Sequence, residues 1–88
     1  MKIKKGFVIR KVMGNNVVIA TGAQSKSFHG MVKLNDTAAE IWGYIADGLE
    51  TDAIIEKMLE KYEVDASLLR QDVEKTVNTL VEQGFVEL

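Results

Sequence analysis

GMVKLNDTAAEIW, residues 30–42, decides the fold, because it passes from a strand pattern into a helix pattern at Leu34-Asn35-Asp36. Upstream of the joint, FHGMVKL (28–34) alternates, with Phe28, Gly30, Val32 and Leu34 on one face and His29, Met31 and Lys33 on the other. That is the period of a β-strand. Gly30 weakens a strand interior and permits a bulge or a close backbone approach. Downstream, Ala38, Ile41, Trp42, Ile45 and Leu49 recur at helical spacing. Asn35 or Asp36 caps this helix, and Asp36 also suits its positive N-terminal end. Gly48 is its stop.

Outward from the joint, the first third reads as β. FVIRKVM (7–13) and VVIATG (17–22) are rich in β-branched residues, and GNN (14–16) between them suits a short hairpin. AQSKS (23–27) is a polar connector to the third strand, 28–34. The remainder reads as α. Thr51 caps a second helix with the stripe Ile54, Ile55, Met58, Leu59 and Tyr62. Asp65 caps a third with the stripe Leu69, Val73, Val77, Leu80 and Val81, and Leu68 and Thr76 beside it. Gly84 ends that helix and FVEL follows as a short apolar tail. The pattern β-β-β-α-α-α predicts an α+β domain: a three-stranded antiparallel sheet followed by three helices, winged-helix-like in layout. Three strands alone are marginal, so one face of the sheet must pack on the helices.

Eighty-eight residues allow one domain, 1–88. A chain this short buries only about 60–65% of its unfolded surface, so its core must be used efficiently. There is no cysteine, hence no disulfide framework and no thiolate chemistry. The start is basic like a secretory signal, but Arg10 and Lys11 cut its apolar stretch to GFVI, and no window is long enough to span a membrane. A cytoplasmic protein with no membrane partner is expected. Charge divides along the chain. Residues 1–33 carry seven basic side chains and no acidic one; residues 34–88 carry four basic and thirteen acidic.

Few residues suggest chemistry, and each has a plainer reading. His29 is the only histidine; without cysteine it cannot build a zinc site, and no nucleophile with an orienting group stands beside it. Asp36 and Glu40 are better explained as a cap-region residue and a solvated one than as an acid pair. Asp65-Ala66-Ser67-Leu68 has one residue too many for the Asp-Ser-Leu site of acyl carrier proteins. GAQSKS (22–27) lacks the glycines and the following helix of a phosphate loop. A winged helix invites DNA binding as the alternative function, that of a regulator. The recognition helix would be the third, however, where Arg70 and Lys75 face Asp72, Glu74 and Glu82, and an acidic helix repels phosphates. Neither an enzyme, a cofactor, a metal nor a nucleic-acid partner is expected.

LNDTAAEIW (34–42), with YEVD (62–65), DV (72–73) and LVEQGFV (80–86) in this order and spacing, resembles the PqqD family (coenzyme PQQ synthesis protein D-like). That fold is also called the RiPP recognition element, after ribosomally made, post-translationally modified peptides. The resemblance covers roughly residues 7–88 and implies a three-stranded sheet on three helices, in agreement with the pattern. It implies a non-catalytic role: binding the leader segment of a precursor peptide and presenting it to a modifying enzyme, often a radical-SAM enzyme, as in PQQ biosynthesis. The leader adds as a fourth strand beside the third and lies against the third helix.

Carried over by position, the expected peptide-binding residues are Gly30, Met31, Val32, Lys33 and Leu34 of the strand and Leu69, Asp72, Val73 and Thr76 of the helix. The apolar members equally suit plain core packing, and Trp42 belongs to the core. An edge strand over 28–34 is a template for another strand, drawing affinity from main-chain hydrogen bonds and specificity from side-chain pockets. The basic first third is expected to steer an acidic leader. An open edge also allows pairing between copies, so a monomer or a weak dimer is expected.

Overall fold

The computed structural model describes residues 1–26 and 30–88. Strands β1 (Lys2–Ile3), β2 (Phe7–Val12) and β3 (Asn15–Ala20) are followed by a 3-10 turn at Gly22–Lys26 and by β4 (Val32–Leu34). Helices α1 (Asp36–Ala46), α2 (Thr51–Lys61) and α3 (Ala66–Glu82) come next, and β5 (Val86–Glu87) closes the chain. The antiparallel sheet has the order β2-β3-β4, with β4 at one rim. This is the α+β architecture read from the sequence.

The hairpin departs from expectation by one residue. Its turn is Met13-Gly14, both at positive φ (51° and 82°), while Asn15 and Asn16 belong to β3 and pair with Val12 and Lys11. Two-residue hairpins favour a pair of left-handed residues because their twist matches that of the strands. Residues 22–26 form the 3-10 turn in place of an irregular connector. The third strand is shorter at its start than 28–34: Gly30 lies in a bend, Met31 precedes the strand, and Phe28 and His29 lie outside the described residues.

Pairing registers sort the sheet into two faces. Asn16 opposes Leu34, Val17 opposes Lys33 and Val18 opposes Val32. Val18 is fully buried, and Ile9, Ala20, Val32 and Leu34 share its face and pack on the core. Arg10, Val17 and Lys33 form a row on the opposite face. The helices supply the rest of the core through Ile41, Trp42 and Ile45 of α1, Ile54, Ile55 and Met58 of α2, and Leu69, Val73, Val77 and Leu80 of α3.

Helix ends follow local chemistry. Asn35 is the cap of α1; its Oδ1 accepts from the Ala38 amide at 2.8 Å, and Asp36 is the first helical residue. Asp65 caps α3, accepting from Ser67 and Leu68. The cap of α2 is Glu50, one residue before the expected Thr51, and it makes no side-chain cap bond. Its carboxylate instead accepts from the Met1 ammonium at 2.9 and 3.1 Å. Helices α1 and α3 end alike: Gly48 and Gly84, both left-handed, return their amides to Ile45 and Val81, and Leu49 and Phe85 bond back to Tyr44 and Leu80. These are Schellman ends.

The second of these turns sends the tail inward. Phe85 is 1% exposed, and its ring meets Phe7 edge-on at 5.0 Å and Trp42 at 5.8 Å between centroids. Val86 is buried and β5 pairs with β1, Lys2 opposite Glu87 and Ile3 opposite Val86. Two-residue strands leave no periodicity, so the sequence pattern did not announce this second ribbon.

Candidate functional site

Strand β4 is paired on one side, to β3. Among the described residues no strand takes its outer side; the C-terminal strand β5 pairs with β1 instead. Beside that free rim lies a groove of about 260 Å³, lined by Val32, Lys33 and Leu34 of β4, by Asn35 and Ala38, and by α3 residues running from Lys75 to Gln83. A second hollow of about 270 Å³ shares Asn35, Lys75 and Thr76 with it and adds Thr37 and Asp72. The floor is made of the half-buried Val32, Leu34 and Ala38 and the buried Leu80. The helical wall is polar: Lys75, Thr76, Thr79 and Gln83.

The joint between β4 and α1 fixes the rim against this wall. Asn35 starts the helix within one residue of the strand's end, so β4 cannot slide without unwinding the first turn of α1. Asn16, on the neighbouring strand, holds the joint from the side. Its Nδ2 donates to Asp36 Oδ1 at 2.8 Å and approaches the Leu34 carbonyl at 3.4 Å. By sequence Asn16 reads as a turn residue; only its pairing opposite Leu34 reveals this role.

Of the residues expected to bind peptide, Val32, Lys33, Leu34 and Thr76 line the groove, and Asp72 lines the adjoining hollow with Thr76. Gly30 and the 68%-exposed Met31 lie before the strand, on the chain's approach to the rim. Leu69 and Val73 are 8% and 0% exposed and are packed in the core. Residues of the groove that sequence reasoning missed are Asn35 as a liner, Ala38, Lys75, Thr79, Leu80 and Gln83. The polar ones carry no periodic signal that distinguishes a groove wall from a solvated helix face.

A separate cluster braces α1 to the end of α2. Tyr62 donates to Glu40 Oε1 at 2.6 Å, Tyr44 donates to Oε2 at 2.8 Å, and Lys61 lies 3.5 Å from Oε2. Burial alone raises the pKa of Glu40, but the bonds from Tyr62 and Tyr44 and the Lys61 charge outweigh it and hold the carboxyl below its ordinary value. The same bonds raise both phenols. Among the described residues, no group of three or more His, Asp or Glu side chains is placed to hold a metal ion, and no helix is long and apolar enough to cross a membrane.

Free rim, apolar floor and polar helical wall together define a small α+β module with one open sheet edge. The family model for coenzyme PQQ synthesis protein D (PqqD) matches residues 17–86, and the chain belongs to that family. Two solved structures share the fold. One is of lasso peptide synthetase B1 complexed with the leader peptide, at 22% identity and a TM-score of 0.80 over 99% of this chain and 96% of that one. The other is of TbiB1 in complex with the TbiA(β) leader peptide, at 18% identity and a TM-score of 0.76 over 99% of this chain and 100% of that one. No curated protein matches the chain significantly by sequence.

Proposed function

We propose that this protein binds the leader segment of a ribosomally made precursor peptide and presents it to a peptide-modifying enzyme, taking no catalytic part itself. The observation that carries the reading is the free rim of β4 opening onto the groove beside α3. Family membership and the leader peptides named in the two structures of like fold support it. The contacts proposed are Gly30, Met31, Val32, Lys33 and Leu34 along the rim and Asp72 and Thr76 on the helix, with Leu69 and Val73 supporting the wall from beneath. The enzyme is a radical-SAM or other modifying enzyme of peptide natural-product or PQQ-type biosynthesis, and the setting is the cytoplasm.

Main-chain hydrogen bonds along the rim supply affinity irrespective of sequence, and the groove selects side chains. An unstructured leader must be ordered, at about 1–2 kcal/mol per residue for its backbone, so a dissociation constant in the micromolar range or somewhat tighter follows. The test is titration of isotope-labelled protein with the leader of a precursor encoded beside this gene. Amide shifts are expected along residues 30–34 and on α3 from Asp72 to Gln83. Saturable binding with those amides unmoved sinks the reading.

A further inference from the structure

We propose that the groove selects a leader segment bearing a carboxylate, and that Lys75 is the residue that reads it. This rests on the leader-binding reading and adds the chemistry of the bound segment.

Helix α3 is acidic apart from two cations, Arg70 and Lys75. Arg70 is committed elsewhere, 3.0 Å from Asp52 on α2. The ion pairs among the described residues are Met1–Glu50, Lys2–Glu87, Lys61–Glu40 and Arg70–Asp52, so Lys75 has no carboxylate of its own within 4.0 Å. It nevertheless lines both hollows beside β4. The acids Glu74 and Glu82 do not line them; Asp72 does, but only the second. Thr79, the next wall residue, has its hydroxyl proton engaged by the Lys75 carbonyl at 2.9 Å. Lys75 is therefore the charged donor that the α3 wall offers to a guest in the main groove.

Geometry sets the register. From Asp72 to Gln83 the wall is roughly 16 Å long, at about 1.5 Å per residue. An extended guest covers that length with about five residues, at about 3.3 Å each, and only alternate side chains point at the wall. Lys75 and Leu80 are five residues apart on α3, about 7.5 Å, close to the roughly 6.6 Å between alternate residues of an extended guest, so an aliphatic side chain over Leu80 brings the side chain two positions away to Lys75. The segment selected has the form aliphatic–x–acidic, or its reverse. Asp72 penalises a second acid one step further along.

The test is selection from a phage-displayed library of random linear dodecapeptides against the full chain and against Lys75→Glu and Lys75→Gln. Lys75 is exposed, and thermal melts check that the variants remain folded. The wild type should enrich Asp or Glu two positions from Val, Leu or Ile, and Lys75→Glu should enrich Lys or Arg there instead. Synthetic acidic winners should bind Lys75→Gln about three- to tenfold more weakly than wild type, with Lys substituted for the acid restoring binding to Lys75→Glu. Winners that shift the Val32–Leu34 amides but show the same residue preference in all three proteins overturn the inference and leave leader binding standing. A library that yields no peptide binding at the rim overturns both.

Discussion

Met13 stores strain that a single substitution relieves. Its φ is +51° and its side chain is 96% exposed, so no packing offsets a left-handed backbone that an unbranched L-residue resists. Met13→Asn places Asn-Gly in the turn, the pair that two-residue hairpins favour. A gain of about 0.5–1 kcal/mol is expected, seen as a higher urea midpoint at unchanged slope. Glu40 acts in the other direction. Its folded pKa is depressed below the ordinary 4.5, so its contribution is complete above that value and disappears as pH falls through the folded pKa. Glu40→Gln should lower stability at pH 7 by about 0.5–1 kcal/mol and flatten the decline below pH 4.5, measured by urea unfolding across pH. A variant with the wild-type acid limb would show that the brace does not couple to folding.

At the scale of elements, α3 separates two jobs by face. Val73 is fully buried, so Val73→Ala should cost about 1–3 kcal/mol of stability while the folded fraction binds peptide as before. Thr79 lines the groove from an exposed position, so Thr79→Arg should change stability by no more than about 0.5 kcal/mol yet weaken leader binding about tenfold. Urea melts and peptide titrations on both variants check the pair. This division explains what could be read in advance. Leu69, Val73, Val77 and Leu80 stood out as one apolar stripe because the core demands it. Lys75, Thr76, Thr79 and Gln83 form the neighbouring face, and polarity there has no periodicity of its own. The strand at the joint was legible from the alternation of Val32, Lys33 and Leu34. Its start was not, because Gly30 and Met31 satisfy the alternation without being paired. Asn15 and Asn16 misplaced the hairpin because their turn preference is real, while Asn16 is drawn into β3 by its bonds at the joint.

For the whole molecule, the tail is as much core as the helices are. Phe85 links Phe7 of the sheet to Trp42 of α1, so Phe85→Ala should cost about 3–5 kcal/mol and lower the thermal midpoint by tens of degrees, in a scan followed by circular dichroism. Charge also acts at this scale. The first third of the chain is basic and the remainder acidic, and the association rate with an acidic leader should fall as salt rises, with a smaller change in dissociation. Stopped-flow mixing at two ionic strengths separates the two rates.

Met1 and Leu88 line a common hollow with Glu74, Val77 and Asn78, on the side of α3 turned away from Lys75, Thr76 and Gln83. Residues 1 and 88 thus both lie on the flank opposite the rim. A fluorophore or an affinity handle joined at Leu88, which is 91% exposed, would hang clear of an incoming guest and leave the opening accessible.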